Sequence, residues 1–412
     1  MNLKRSLLAP ALALASLPAL ADTESYSAKY EAHVRPEAGI IEMQLTLSGD
    51  KLPSRIELDI DPKRHKGFKA SDPIDIEGER VTWRPRGRSS WLRYQFVVNH
   101  QRSAGRYDSL MNEDWALFRG DKLVPAASVR ARKGLESRAV LEFTLPDDWS
   151  IVTAYAGPEK RFEFDDPTRR FDRPKGWILA GKISSRSERV RDLIVVVAAP
   201  VGNGTRRQDT LAFLRWTLPP LQEVFSTLTG RLLVVSGPDP LWRGGLSGPS
   251  SIFLHADRPL ISENRTSTLL HEIVHVAMGI RSDEESDWIV EGLAEFYSIE
   301  ALRRSGTISQ RRYDEAIDRL MRWGRRSRTL FTDDSGGATT ARAVIVLKAV
   351  DAEIRRLTGN KASLDDVARR LAKERGEVSL ERLQKAAENV AGRPLDSLKR
   401  QRLLEPIPVP ER

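Results

Sequence analysis

The stretch that decides the fold is TLLHEIVHVAMG, residues 268–279. Apolar residues flank the two histidines and Gly279 is a typical helix stop, so the stretch predicts an α-helix. At about 3.6 residues per turn, His271 and His275 lie on one face, where both imidazoles can reach the same ion. Glu272 then lies beside that ion. The spacing predicts a metal site; the alternative is a pair of surface histidines on an ordinary helix.

A second segment supplies carboxylates for the same site. Residues 287–297, DWIVEGLAEFY, predict a helix that carries Glu291 and Glu295 one turn apart, both able to face the first helix. A catalytic zinc ion takes three protein ligands and leaves one position for water. Two histidines therefore need one of these carboxylates, and the spacing alone leaves both open.

The HEIVH motif followed by WIVEGLAEFY resembles the gluzincin metallopeptidases, in particular the glycyl aminopeptidase family and relatives of aminopeptidase N. In these proteins the glutamate before glycine is the third ligand. The resemblance therefore implies one Zn²⁺ held by His271, His275 and Glu291, with Glu295 orienting an imidazole. It also implies a thermolysin-like catalytic domain that hydrolyses peptide bonds. The zinc would acidify a water molecule, and Glu272 would act as general base.

The resemblance extends to a glycine-rich loop, Gly244-Gly245-Leu246-Ser247, which is similar to the Gly-Gly-Leu-Glu loop lining the cleft in the glycyl aminopeptidase family. An edge strand at this place would hold a peptide by main-chain hydrogen bonds. In the family, the loop glutamate binds the free α-amine of the substrate. Ser247 offers no negative charge, so the chain departs from the aminopeptidase pattern. A simple glycine turn is the alternative interpretation.

A second departure concerns the tyrosine that stabilises the oxyanion in the family. The matching helix start places Thr340 at that position. Tyr313 and Tyr297 are candidate stand-ins, although packed helix residues are the alternative interpretation for both. Arg342 is a candidate source of positive charge, with a solvated arginine as the alternative. The loss of one oxyanion donor costs about a hundredfold in rate.

The chain is predicted to have three parts after a signal peptide at residues 1–21. Short alternating runs before residue 200, such as IEMQLTL at 41–47, favour an N-terminal β domain over 22–200. Turn residues near 200 precede a gluzincin-like catalytic domain over 201–330. Residues 331–412 form a C-terminal helical region, in which Ser363 and Ser379 are predicted helix caps. The fold class is therefore α+β and multi-domain.

Composition limits the compartment and the partners. Lys4 and Arg5 precede a short apolar run and an Ala-Leu-Ala cleavage signal, which predicts export to the periplasm or outside the cell, without a membrane span after cleavage. The chain has no cysteine, which excludes disulfides and thiolate metal ligands. The formal charge of +9 is spread over mixed acidic and basic residues, so nucleic-acid binding is not expected.

These patterns predict an exported zinc metallopeptidase acting on peptide or protein substrates, with exopeptidase and endopeptidase action both open. The alternative from another class is a zinc-holding protein that binds peptides or a partner with little or no turnover. The intact Glu272 favours chemistry, whereas Ser247 and Thr340 favour the alternative. A carbohydrate-binding protein using surface aromatics such as Trp83 and Trp91 is a third hypothesis.

Overall fold

The computed structural model describes residues 24–164 and 170–407. The predicted signal peptide at 1–21 lies outside the described residues, as does the end of the proline-containing tail. Within the described ranges, no helix combines the length and the apolar character needed to cross a membrane.

The N-terminal half is built of strands whose side chains alternate between core and surface. In the strand Ile40–Ser48, Ile41, Met43, Leu45 and Leu47 are buried, because successive side chains of a strand point to opposite faces. The elements up to residue 181 are β1 Ser25–Arg35, β2 Ile40–Ser48, β3 Arg55–Asp59, β4 His65–Ala70, β5 Ile74–Glu77, β6 Arg80–Trp83, β7 Ser89–Val97, β8 His100–Ser103, β9 Arg106–Met111, β10 Trp115–Arg119, the short helix α1 Gly120–Leu123, β11 Ala126–Arg130, β12 Glu136–Thr144, β13 Ser150–Thr153, β14 Arg161–Phe164 and β15 Trp177–Gly181.

These strands form three sheets, which confirms the predicted β-rich N-terminal half. One sheet has the order β14-β12-β1-β2-β7-β4, a second β13-β15-β10-β9-β8 and a third β11-β3-β6-β5. Trp83 is fully buried between them, so it is not a surface aromatic available for sugar binding.

A mixed sheet follows and carries the cleft strand at its edge. Its elements are β16 Ile183–Val190, β17 Leu193–Pro200, α2 Arg207–Val224, β18 Gly230–Gly237, β19 Gly245–Gly248 and β20 Ser251–His255, with strand order β16-β17-β18-β20-β19. Strands β17, β18 and β20 are parallel, and β19 pairs antiparallel with β20. The sheet runs across residue 200, where the sequence places a domain boundary, and the domain division itself stays a prediction.

Helices dominate after residue 267, as the sequence predicts. They are α3 Thr268–Met278, α4 Asp287–Arg304, α5 Gln310–Gly324, α6 Ala338–Thr358, α7 Leu364–Glu374, α8 Leu380–Ala391 and α9 Arg400–Leu404, and the short strands β21 Ile280–Ser282 and β22 Gly376–Val378 pair with each other. The predicted caps are confirmed: the hydroxyl of Ser363 accepts from Asp365 N, and that of Ser379 accepts from Arg382 N.

Close packing of α4 sets the position of the second predicted motif. A Cβ on Gly292 would lie 2.6 Å from the Cβ of Ala343 on α6, so the two helices touch at this glycine. At the other end of α4, Arg304 donates two hydrogen bonds of 2.8 and 2.9 Å to the carboxylate of Asp365 on α7. Helix α4 is therefore held along its length.

Arg342 is neither solvated nor available to the site, which corrects both interpretations drawn from the sequence. It is 3% exposed, and its guanidinium donates to the carbonyl oxygens of Ser327, Leu403 and Glu405. A buried guanidinium needs several acceptors, and these carbonyls supply them. Arg342 ties the last described helix to the start of α6.

Candidate metal centre

The first motif lies on α3, whose two ends are set by local signals. The Ser267 hydroxyl accepts from Leu270 N at the start, and Gly279 ends the helix in the left-handed region at φ +56°. Leu270, Ile273 and Val274 are buried on the core side of α3. The opposite side is left to the histidines, because residues four apart share a helix face.

Three side chains converge on one point in front of α3. The Nε2 atoms of His271 and His275 are 3.0 Å apart. The Glu291 carboxylate lies 3.2 Å from His271 Nε2 and 3.3 Å from His275 Nε2. A tetrahedral zinc ion with bonds of about 2.0 to 2.2 Å places its ligand atoms about 3.3 to 3.6 Å apart. The observed spacing is within a few tenths of an ångström of that geometry, so the donor set fits a zinc ion.

Glu295 lies behind the first histidine. Its carboxylate is 3.0 Å from Nδ1 of His271, on the side of the ring opposite Glu291. A carboxylate on Nδ1 fixes both the ring orientation and the tautomer, which leaves Nε2 free to bind a metal. The arrangement separates the two carboxylates left open by the sequence: Glu291 reaches both imidazoles, whereas Glu295 reaches the back of one.

The two carboxylates control the protonation of His271 when no metal is bound. Burial alone would lower its pKa, but hydrogen bonds to Glu291 and Glu295 outweigh burial and raise the pKa of His271 to about 10. In Glu291, burial acts in the raising direction, but the two imidazoles hold the pKa of the carboxyl well below its ordinary value. The metal-free site therefore carries a proton in place of the ion at neutral pH.

Zinc affinity is expected to rise about tenfold per pH unit between about pH 6 and 8, because zinc must displace the His271 proton. The sign follows from the raised pKa: the proton is bound below about pH 10 and becomes easier to remove as pH rises. Competition with a chelator of known pH dependence measures the effect. An affinity that does not change with pH would contradict it.

Glu272 faces the cleft strand. A Cβ on Gly245 would lie 2.6 Å from Glu272 Cγ and 2.9 Å from its Oε1, so the backbone of β19 is in contact with this side chain. A larger residue there would force the side chain of Glu272 to move, and the methyl group of Thr268, 2.9 Å from the same Cβ position, limits where it can go. The structure thus brings together the predicted loop and the predicted base, and it forms a strand rather than a simple turn at Gly245–Gly248.

Strand β19 is the edge strand of its sheet. His255 N donates to Gly244 O, and hydrogen-bonded pairs alternate along an antiparallel ladder. The backbone groups of Gly245 and Ser247 therefore face away from β20. Ser247 lies on this edge, two residues from the contact with Glu272.

Two side chains from the N-terminal half, which the sequence analysis missed, hold β19 in place. Trp177 Nε1 donates to Leu246 O at 2.9 Å, and Arg119 Nη1 donates to Ser247 O at 3.2 Å. Both lie more than sixty residues before the strand they contact. No motif or spacing relates them to it, so only the tertiary structure reveals the contact.

Tyr313 is a packed helix residue, which agrees with one of the two interpretations of it from the sequence and not with its use as a substitute oxyanion donor. It is buried beside Glu300 and Arg303, with the Arg303 guanidinium 5.3 Å from its ring. Glu300 is nine residues after Glu291 on α4, about 13.5 Å along the helix axis, so Tyr313 beside it is far from the metal centre.

The hydroxyl groups of Tyr297 and Thr340 are bonded elsewhere. The Tyr297 hydroxyl donates to Asp365 at 3.1 Å. Thr340 donates to Ser335 O at 3.1 Å.

A second cluster, Asp239, His255 and Asp257, was not predicted. His255 Nδ1 accepts a hydrogen bond from Asp257 N at 3.2 Å, which leaves the ring proton on Nε2, 3.4 Å from Asp239. Asp239 is also bound by Arg106 and Arg243. The Asp239 carboxylate is therefore already paired with two guanidinium groups.

Comparisons with known proteins place this geometry in a structural context. A scan against protein-family models finds no match, and a search of curated protein sequences finds none either. Solved structures do match. An aminopeptidase N family protein from Idiomarina loihiensis has a TM-score of 0.65 at 15% identity, over 84% of this chain and 70% of that one. The M1 zinc metallopeptidase from Deinococcus radiodurans has a TM-score of 0.58 at 16% identity, over 95% and 96%.

The chain has the fold of these two proteins. The resemblance to aminopeptidase N relatives, inferred from HEIVH and WIVEGLAEFY, is therefore confirmed at the level of structure. The match covers nearly the whole of the Deinococcus protein, so the likeness includes the N-terminal sheets as well as the part that carries the histidines.

Proposed function

We propose that this chain is an exported zinc metallopeptidase with a thermolysin-like catalytic domain, whose zinc ion is held by His271, His275 and Glu291. The observation that carries the proposal is the convergence of two imidazole Nε2 atoms and one carboxylate within 3.0 to 3.3 Å. Two nitrogens and one oxygen leave a fourth tetrahedral position for water or substrate, as catalytic zinc sites do. The three side chains keep 16 to 27% of their surface exposed, so a substrate can reach them.

The side chains around this centre have separate tasks. When bound, zinc supplies a Lewis acid that lowers the pKa of water and polarises a carbonyl group. Glu272 accepts the proton of the attacking water and transfers it to the leaving amine. Glu295 holds His271 by its Nδ1 atom. The outward backbone groups of Gly245 and the N–H of Ser247 bind the substrate main chain as an added strand, while Ser247 O is held by Arg119.

The names of the structural neighbours and the N-terminal sequence support the wider assignment. One neighbour is named as a zinc metallopeptidase and the other as an aminopeptidase N family protein, which supports hydrolysis of peptides here. Lys4, Arg5 and the apolar run that follows support export, and the absence of cysteine agrees with a periplasmic location.

A mixed peptide library tests the proposal. The zinc-loaded protein is incubated with the library, and products are identified by mass spectrometry beside a sample stripped of metal by a chelator and a sample reloaded with zinc. We expect new peptide ends only in the two zinc-containing samples, and their positions show whether the protein attacks a chain end or its interior. Stoichiometric zinc without any cleavage would overturn the enzyme assignment.

One observation favours the second candidate, a zinc-holding protein that binds peptides with little turnover. Neither Tyr297 nor Tyr313 reaches the metal centre, because one is bonded to Asp365 and the other packs near Glu300. Without an oxyanion donor the rate falls by about a hundredfold or more. Peptide binding by the zinc-loaded protein without products would support this candidate.

Replacing Gly245 by alanine is expected to lower kcat/KM for peptide cleavage by about a hundredfold, since displacement of a reacting group by about 1 Å has that effect. The new methyl group would collide with Glu272 at 2.6 Å. Cleavage rates and zinc content are measured together, and zinc content is expected to stay unchanged. Gly336→Ala is the control, because no atom lies within 4 Å of a Cβ at that position. Equal rates for both variants would contradict the prediction.

A further inference from the structure

A cavity of about 350 Å³ lies beside the cleft strand, between the N-terminal sheets and β19. Leu246 and Trp177 form part of its wall. Leu246 follows Gly245, the residue in contact with Glu272, and successive residues of a strand are about 3.3 Å apart. The cavity is therefore within reach of a substrate side chain one or two residues from the bond that is cleaved.

The cavity wall is hydrogen-bonded to the cleft strand. Trp177 and Arg119 both line the cavity, and both donate hydrogen bonds to the backbone of β19. The Arg119 guanidinium is in turn held by Asp121 at 2.9 Å. A side chain bound in the cavity would thus be positioned directly against a peptide paired with β19.

The charges that line the cavity are unequal. Arg64, Arg102, Arg119 and Lys122 contribute four cations, against two carboxylates. Of the cations, only Arg119 makes an ion pair within residues 24–164 and 170–407.

Arg64 is the most unusual of these cations. It is 6% exposed, and it donates to the carbonyl oxygens of Val97 and Val98 at 3.2 and 2.9 Å. Its guanidinium stacks 4.5 Å from the ring of Phe96. Burial of this charge is costly and lowers the pKa of Arg64, although Asp108 and Asp61 nearby favour the charged form. An anionic ligand in the cavity would offset more of that cost.

The two carboxylates of the cavity are already engaged. Asp108 lies 2.7 Å from Nδ1 of His100. Asp61 accepts a hydrogen bond from Lys63 N at 2.9 Å. The cations Arg102 and Lys122, both exposed at the mouth, therefore add to the positive charge of Arg64.

We propose that this cavity is a subsite for an acidic side chain, aspartate or glutamate, of a peptide lying along β19. The inference rests on the proposed peptidase function for the presence of the peptide. It goes beyond that function by naming the substrate class: peptides with an acidic residue one or two positions from the cleaved bond. Arg102 and Lys122 are the specificity-determining residues that reach the carboxylate, and Arg64 supplies the buried positive charge behind it.

The experiment measures binding with the zinc-loaded Glu272→Gln variant, so that no turnover is needed. The probes are fluorescein-labelled six-residue alanine peptides that carry one glutamate at each position in turn, each with a glutamine counterpart. Affinities come from fluorescence anisotropy at low and moderate salt. We expect the glutamate peptide to bind about three- to tenfold more tightly at one or two adjacent positions, with a smaller ratio at higher salt.

A pair of charge-matched variants identifies the site. Arg102→Gln with Lys122→Gln is expected to abolish the preference for glutamate. Arg186→Gln with Arg189→Gln removes the same charge from exposed positions on strand β16 and should leave the preference intact. Equal binding of both peptide types at every position, no binding of any peptide, or a preference that survives the first double variant would each overturn the inference.

The same measurements separate this inference from the proposed function. Cleavage of the mixed library by the unaltered protein, with no preference for acidic residues, would leave the peptidase in place and remove the subsite. A preference for glutamate peptides that depends on Arg102 and Lys122, without cleavage by the unaltered protein, would retain the subsite and remove the peptidase.

Discussion

Replacing Glu272 by glutamine is expected to lower kcat for peptide hydrolysis by about 10²- to 10⁴-fold, the usual contribution of a general base. An amide has the shape of the carboxylate but cannot accept the proton of the attacking water. Glu272 is not among the three groups that converge at the metal centre, so zinc content should remain stoichiometric. Steady-state rates on a cleaved library peptide and metal analysis of the same sample give both quantities.

The matched control is Glu381→Gln, which makes the same chemical change at an exposed position on α8. It should retain full activity. Turnover by Glu272→Gln at the rate of the unaltered protein would exclude Glu272 as the base. Loss of both zinc and activity would instead assign this residue to the metal site.

The second large effect is expected for Glu291→Gln: zinc affinity should fall by at least about a hundredfold, with loss of peptide cleavage. Glu291 is the carboxylate that reaches both imidazoles, at 3.2 and 3.3 Å. A neutral amide is a poor zinc ligand compared with a carboxylate. The dissociation constant is measured by titration against a fluorescent chelator at constant pH.

Glu295→Gln provides the comparison, because it changes the carboxylate behind His271 and leaves the three converging groups in place. Loss of such an outer partner typically weakens metal binding by about 10- to 100-fold. The predicted order is therefore a larger loss for Glu291 than for Glu295. The reverse order would exchange the two roles, which the helical spacing by itself left open.

The local features of this protein follow from the sequence because they depend on near neighbours. Alternation of apolar residues places Met43 and Leu45 in the core, and the serines at 363 and 379 begin helices where a cap is predicted. The spacing of His271 and His275 is likewise a property of one helix turn, and it determines that both rings can meet one ion.

The relation between distant segments could be predicted only where a motif marks both partners. The approach of Glu291 to α3 is of this kind, since the resemblance links the two helices. The sequence predicts that the loop containing Gly245 lines the cleft. That Gly245 lies directly against the side chain of Glu272 is visible only in the structure.

Tertiary structure alone decided the rest. Tyr313 lies on α5, the helix that follows α4 in the sequence. It packs beside Glu300 and Arg303 at the C-terminal end of α4, away from Glu291. Arg342 is buried, and its guanidinium donates hydrogen bonds to three backbone carbonyl oxygens from distant parts of the chain.

The sequence by itself determined which residues can bind a metal and activate water. Helical spacing relates the two histidines and the base between them, and it relates the two following carboxylates to each other. The structure decided what surrounds that centre. Arg119, Trp177 and the other cations of the cavity come from segments more than sixty residues before β19, and their positions depend on how the sheets pack. Packing between sheets is a property of the whole chain, so no local pattern in the sequence records it.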